Sequence, residues 1–196
     1  GLAIKAYIAS DPAAATAQIV GGQPSTWPYA PSMTVFSSRG PNLPVTGAED
    51  IIKPDVTAPG LQILAGYSPY PDPASPSGAD VRDQLFAAIA GTSMSSPHVA
   101  GLFALIKQAH PDWSPAVAKS ALMTTAYQDV LDNDRVSPAD PFDMGAGHVN
   151  PGGKANKGSL FEPGLAYDAG FLEYLGFLCD ADPGVFANPA ATCAAL

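Results

Sequence analysis

Basic residues are scarce in this sequence of 196 residues: nine lysines and arginines stand against eighteen aspartates and glutamates, for a net charge of −9. A protein that binds nucleic acid needs a cationic surface to neutralise phosphates, so we expect no nucleic acid partner. Long apolar runs are also lacking, since none approaches the ~20 residues of a membrane-spanning helix. We therefore expect no membrane partner, and the acidic composition, rich in proline and glycine, favours a secreted protein.

Cysteine is rarer still, with two residues, Cys179 and Cys193, both near the end of the sequence. Neither has the C-x-x-C spacing or the neighbouring histidine of a metal or redox site. They either form one disulfide that closes a short loop or are two unrelated thiols, and both interpretations stay open. With 46% hydrophobic and only 14% charged residues, the chain is apolar enough to fold around a core.

Short apolar runs bounded by glycine, proline or serine have the length of β-strands. They are residues 17–20, 33–36, 61–65 and 85–90. Residues 99–110 are apolar on nearly every side, as in a buried helix. Ser114 and Pro115 supply an N-cap and a first-turn proline for a second helix through about residue 127.

Other segments are less regular. Residues 67–80 are a proline-rich surface loop, 129–143 an acidic loop, 144–150 an irregular glycine-rich segment, 172–178 a short helix, and 1–10 fit either helix or strand. The alternation of strands and helices predicts an α/β fold on a mainly parallel sheet.

The segment AGTSMSSPHVAG, residues 90–101, joins the run at 85–90 to the predicted helix. It places Thr92 to Ser96 where open α/β sheets bind ligands, beside free backbone N–H groups and the positive end of the helix dipole. Pro97 cannot donate to the Ser93 carbonyl, which predicts a helix start near Ser93 or Met94. A serine there is either an ordinary N-cap or an exposed nucleophile beside an oxyanion site.

The full motif decides between these two interpretations, because G-T-S-M-S-S-P-H-V-A-G closely resembles the nucleophile segment of subtilisin-like serine proteases (subtilases, the peptidase S8 family). Further segments resemble the same family in the expected order: SSRGPN at 37–42, KPDVTAPG at 53–60, HPDWSP at 110–115, KSALMTTA at 119–126, GAGHVNP at 145–151 and PGLAYD at 163–168. The last two resemble the large cucumisin-like, plant-type branch.

The resemblance implies a three-layer α/β sandwich with a mainly parallel sheet, of which only the C-terminal portion is present. Residues 1–155 would be the C-terminal segment of the catalytic domain, with 1–22 re-entering it after an inserted protease-associated domain. Residues 156–196 would be a linker or tail leading towards a C-terminal β-sandwich.

By the same resemblance Ser93 is the nucleophile of an endopeptidase that cleaves polypeptide substrates through an acyl-enzyme. Gly91, Thr92 and Met94 would line the cleft near the scissile bond, and Thr92 would support the oxyanion hole. The triad aspartate and histidine and the oxyanion asparagine belong to the upstream part of the domain. Because a lone serine hydroxyl is a poor nucleophile, we expect this chain alone to be inactive.

None of the local candidates is expected to replace the missing base. His98 lies five residues after Ser93, about 140° around the helix. His110 is expected to be structural or a helix cap, and His148 a packing residue. Asp55 is expected to be a buried, hydrogen-bonded structural carboxylate.

Two alternatives to an active subtilase are a sedolisin-like peptidase, which shares G-T-S, and a catalytically dead binding or structural module. The continuation P-H-V-A-G and the K-P-D-V-T-A-P-G segment favour a subtilase over a sedolisin. No cofactor is expected. Calcium binding by the acidic runs 49–50 and 132–134 is an alternative to our interpretation of them as solvated loops.

Overall fold

The structure, a computed structural model, describes residues 2–16, 27–41, 52–68, 70, 85–152 and 158–196. The elements within these ranges are, in chain order, α1 Leu2–Ser10, β1 Ile63–Gly66, β2 Phe86–Ile89, α2 Thr92–Ala109, α3 Pro115–Thr124, α4 Pro141–Met144, α5 Phe171–Ala181, a 3-10 turn at Pro183–Val185, and α6 Pro189–Ala194. The ambiguous N-terminal segment is thus a helix. The predicted strand at 17–20 lies outside the described residues.

The two central strand predictions are correct in position, and the two strands pair with each other. β1 and β2 form an antiparallel ribbon, with Ile63 opposite Ile89 and Gly66 opposite Phe86. An antiparallel pair can be joined by a short turn or a loop, whereas a parallel pair needs a crossover, usually a helix. Among the described residues this ribbon is the whole sheet, so the predicted three-layer sandwich is not seen within them.

Helix α2 begins at Thr92, slightly before the predicted start, and contains Pro97 in its second turn. We predicted that it would be buried on nearly every side. Within the described residues only Ile106 of α2 is buried, and Leu105 is 48% exposed. The prediction of burial is wrong for this part of the chain because no described element covers the remaining faces.

Helix α3 begins as predicted and ends three residues early, at Thr124. The Ser114 hydroxyl accepts a hydrogen bond from the Val117 N–H at 3.0 Å, and Pro115 occupies the first helical position, where its missing N–H costs nothing. The larger hydrophobic cluster lies between α2, α3 and the segments that follow. Its buried members are Ile106, Ala118, Ala121, Leu122, Val149 and Leu160.

A second, smaller cluster contains Met33, Val130, Ala139 and Met144. The strand predicted at 33–36 is not formed. Instead the Met33 N–H donates to the Leu131 carbonyl at 2.8 Å and a turn follows at once. The buried Met33 anchors this segment, so its apolar character reflects burial of one side chain rather than a strand.

The C-terminal part of the chain is helical, as expected for 172–178, although α5 is longer than that prediction. Cys179 of α5 and Cys193 of α6 form a disulfide, which settles the open question about the two cysteines. The acidic loop 129–143 is irregular up to its last residues, where α4 starts with a capping box between Asp140 and Asp143. Among the described helices, none combines the length and apolarity needed to cross a bilayer.

Candidate active site

Ser93 is the second residue of α2, and its side chain is exposed. Gly91 precedes the helix in an extended conformation, with φ 161° and ψ 159°, and its carbonyl accepts the Met94 N–H at 3.0 Å. Because the first N–H groups of a helix have no intrahelical partner, the amides of Thr92 and Ser93 are available to a ligand. Strand, glycine and helix thus present a hydroxyl and helix N-terminal amides together, as the sequence predicted.

The start of α2 is held against residues 58–60, the end of the K-P-D-V-T-A-P-G motif. The Gly91 N–H donates to the Gly60 carbonyl at 2.8 Å, and the Ser95 hydroxyl donates to the Ala58 carbonyl at 2.9 Å. A β-carbon on Gly60 would lie 2.4 Å from Ser95 Oγ and 2.8 Å from the Gly91 oxygen. Only a glycine fits between these atoms.

The residues just before this segment pair with the G-A-G-H-V-N-P motif. The Ala146 N–H donates to the Asp55 carbonyl at 2.9 Å, while Thr57 donates to Gly147 and accepts from Val149, both at 2.9 Å. Gly147 has φ +129°, and a β-carbon there would lie 2.3 Å from the Tyr127 oxygen. The start of α2 is therefore supported by three segments that are far apart in the sequence: residues 55–60, Tyr127 and residues 145–149.

Asp55 is held by two lysines and is structural, as predicted. Lys53 Nζ lies 2.7 Å and Lys119 Nζ 3.0 Å from its carboxylate oxygens, and the Asp55 side chain is 33% exposed, so it is half-buried rather than buried. Burial alone would raise the Asp55 pKa, but hydrogen bonds and charge interactions with Lys53 and Lys119 outweigh burial and lower it. The carboxylate is charged and paired at neutral pH.

The acidic run that was considered for calcium makes other contacts. Asp132 accepts a hydrogen bond from Arg39 at 2.6 Å, which lowers its pKa, and Arg39 also pairs with Asp143. The Asp134 pKa is lowered as well, first by the Ser137 hydroxyl at 2.6 Å. Residues 49–50 lie outside the described ranges. Within those ranges, no group of three or more potential ligands is arranged to hold a metal ion.

All three histidines contact backbone carbonyl oxygens rather than Ser93. The ring Nδ1 of His98 lies 2.7 Å from the Met94 oxygen, one turn back on α2. His110 stacks on Trp113, and its Nε2 lies 2.8 Å from the Phe161 oxygen. His148 stacks on Tyr127, and its Nδ1 lies 2.9 Å from the Val149 oxygen. Among the described residues, Ser93 has no hydrogen-bonded base.

A groove of about 1220 Å³ runs along one side of α2. Thr92, Val99 and Phe103 line it from the helix, and residues 30–38 and 54–61 form its opposite wall. Its surface is mainly apolar, and Val35 within it is 80% exposed. Sequence reasoning missed this groove because it is formed by segments that are distant along the chain.

An exposed serine at a strand–glycine–helix junction is in a position where serine hydrolases can hold a nucleophile. The sequence profile of the subtilase family matches residues 5–148, so the chain belongs to the subtilase family, whose members are serine endopeptidases. This match favours the subtilase over the sedolisin alternative.

Similar proteins include three subtilisin-like proteases of Arabidopsis thaliana. SBT1.7 is 45% identical over 185 residues, which cover 90% of this chain and 23% of the relative. SBT1.3 is 44% identical over 189 residues, covering 93% and 23%. SBT2.5 is 43% identical over 177 residues, covering 81% and 20%. The chain therefore spans less than a quarter of the length of these relatives.

Proposed function

We propose that the chain is the nucleophile-bearing part of a secreted serine endopeptidase. Ser93 Oγ attacks the carbonyl carbon of a peptide bond and passes its proton to a base. The amine then leaves with that proton, and water hydrolyses the acyl-enzyme. The observation that carries this proposal is the exposed hydroxyl of Ser93 in the first turn of α2, where the helix N-terminal amides have no intrahelical partner, in a chain of the subtilase family.

The neighbours of Ser93 receive supporting roles. The Ser93 N–H and the positive end of the α2 dipole would stabilise the oxyanion, with support from Thr92. Gly91 and Met94 would line the cleft beside the scissile bond of a polypeptide substrate. No metal or cofactor is assigned a role, and Asp132 and Asp134 are engaged in the contacts described above.

The base is proposed to come from sequence beyond these 196 residues, in an upstream part of the same catalytic domain that carries the triad aspartate and histidine and the oxyanion asparagine. The relatives, which are more than four times as long as the aligned segment, have room for it. In this arrangement residues 1–155 belong to the catalytic domain, 1–22 re-enter it after an insertion, and 156–196 lead towards a β-sandwich. The completed domain would be the three-layer sandwich with a mainly parallel sheet.

The test is labelling with a fluorophosphonate probe, which reacts with activated serines. We expect the full-length protein to be labelled at Ser93, the Ser93→Ala variant to remain unlabelled, and the 196-residue chain alone to remain unlabelled because its histidines are engaged elsewhere. A Ser96→Ala variant, which removes a nearby exposed hydroxyl on the same helix, serves as the control and should label normally.

Each of two results would contradict one of these expectations. Efficient labelling of the isolated chain would show that its own residues activate Ser93. A full-length protein with an intact fold that neither labels nor hydrolyses peptides would support the alternative of a dead module.

A further inference from the structure

Ser95 lies two residues after Ser93 on α2 and takes no part in the chemistry proposed above. Its hydroxyl donates a partly buried hydrogen bond to the Ala58 carbonyl at 2.9 Å. Among the loop and turn hydrogen bonds of the described residues, no backbone N–H donates to this carbonyl. The Ser95 hydroxyl is thus a specific side-chain link between the nucleophile helix and the 58–60 segment.

Two hydrogen bonds to the 58–60 segment lie on either side of Ser93. The Gly91 N–H, two residues before it, donates to Gly60, and the Ser95 hydroxyl, two residues after it, donates to Ala58. The Ser93 side chain is exposed, and no described residue holds it. The position of its Oγ therefore depends on a stretch of backbone that is fixed at these two points.

The 58–60 segment is itself well supported. Thr57 is paired on both its N–H and its carbonyl with Gly147 and Val149. Gly60 packs so closely on both anchors that a β-carbon would overlap Ser95 Oγ at 2.4 Å and the Gly91 oxygen at 2.8 Å. The first turn of α2 consequently rests on a braced surface and not on a free loop.

We propose that Ser95 is a positioning residue: its hydroxyl, together with the close contact at Gly60, holds Ser93 where its Oγ can attack. The inference rests on the proposed function of Ser93. Ser95 acts through the backbone of α2 and has no contact with the reacting atoms.

The test uses the full-length enzyme and three variants, Ser95→Ala, Ser95→Thr and Gln108→Ala. Active sites are counted with a fluorophosphonate, so that misfolded enzyme does not enter the rates. We expect Ser95→Ala to lower kcat per active site about tenfold with KM nearly unchanged, since a shift of about 1 Å at a reacting group costs roughly 100-fold and one of two anchors remains. Ser95→Thr, which keeps the hydroxyl, should recover most of the rate.

Gln108→Ala is the control because Gln108 lies on the same helix, is exposed, does not line the groove and makes no side-chain hydrogen bond to a described residue. It should keep the kcat of the wild type. A Gly60→Ala variant adds an independent check: it should lower kcat too, and by less in the Ser95→Ala background than in the wild type, because loss of the Ser95 hydroxyl relieves one of the two overlaps.

Equal kcat values for Ser95→Ala and the wild type, or equal losses in Ser95→Ala and Ser95→Thr, would overturn the positioning role and leave the function of Ser93 intact. A wild-type activity that is insensitive to Ser93→Ala would instead overturn the proposed function and the positioning role together.

Discussion

At the scale of single residues, Met94 differs from the other methionines of the chain because it directly follows Ser93, the proposed nucleophile. Its side chain is half-buried, whereas Met33 and Met144 are 8% and 7% exposed. Oxidant should therefore reach Met94 before these two. The sulfoxide is bulkier and polar, so it should disturb the geometry at Ser93.

We therefore expect dilute hydrogen peroxide to lower the peptidase activity of the full-length protein about tenfold, which is the scale of a small displacement at a reacting group. Mass spectrometry of tryptic peptides should show that the loss follows oxidation of Met94. The Met94→Leu variant, similar in volume and without sulfur, should resist the treatment. Inactivation of that variant at the wild-type rate would contradict the placement of Met94 beside the reacting centre.

The candidate nucleophile was predictable from the sequence because its signal is local: a strand, a glycine, a serine and an early helix proline lie within about a dozen residues. The support beneath it was not predictable. Ala58 and Ser95 are 37 residues apart, and nothing in either segment alone indicates that a hydroxyl of one contacts a carbonyl of the other. The resemblance to subtilases identified both motifs without showing that they touch.

At the scale of elements, the ion pairs of Asp55 connect α3 to the segment that leads to residues 58–60. Lys119 belongs to α3, and its contact with Asp55 spans 64 sequence positions, from 55 to 119. Since the pair is partly exposed, water screens it and its contribution to stability is modest. The direction in which pH changes this contribution to stability is nevertheless defined.

The Asp55 pKa is lower in the folded protein than its ordinary value of 3.8. The stabilisation is therefore complete above about pH 4 and is lost as the pH falls through the folded-state pKa. We expect Asp55→Asn to lower the Tm of the catalytic domain by about 2–4 °C at pH 7, which corresponds to roughly 1 kcal/mol in a domain of this size. The difference should shrink as the pH falls below 3.8 towards the folded-state pKa.

Scanning calorimetry of the full-length protein between pH 7 and pH 2 measures this difference. Asp180→Asn, which removes an exposed carboxylate on α5 that has no ion pair among the described residues, is the control and should leave the Tm unchanged at every pH. A Tm difference for Asp55→Asn that stays constant down to pH 2 would show that the carboxylate charge is not the cause.

Element positions followed from the sequence better than element pairing did. The apolar runs at 61–65 and 85–90 marked β1 and β2, and the cap at Ser114 marked the start of α3 to the residue. The antiparallel direction of the ribbon was not predicted, because the general alternation of strands and helices indicated a mainly parallel sheet. The apolar run at 33–36 is so short that its sequence does not distinguish a strand from an irregular segment with one buried side chain.

At the scale of the whole molecule, the dominant feature is apolar surface that no described residue covers. It includes the groove beside α2 and one face of the β1–β2 ribbon, where Leu64 is 71% and Phe86 66% exposed. Exposed apolar surface next to a candidate site can mark a place where another part of the protein packs. If the upstream part of the catalytic domain fills the groove, residues lining it become core residues in the full-length protein.

Two valines with nearly equal exposure allow a test of whether another part of the protein fills the groove. Val35 lines the groove and is 80% exposed, whereas Val136 lies outside it and is 79% exposed. We expect Val35→Asp to abolish soluble, active full-length protein, because an unpaired charge in a core costs several kcal/mol. Val136→Asp should be tolerated.

The readout is the yield of soluble protein together with the number of active sites titrated by a fluorophosphonate, compared with the wild type. In the 196-residue chain alone the two substitutions should have equal effects, since both side chains then face solvent. Full-length Val35→Asp protein that is as soluble and active as Val136→Asp protein would show that the groove stays open. In that case the base that activates Ser93 would have to approach from another side of α2.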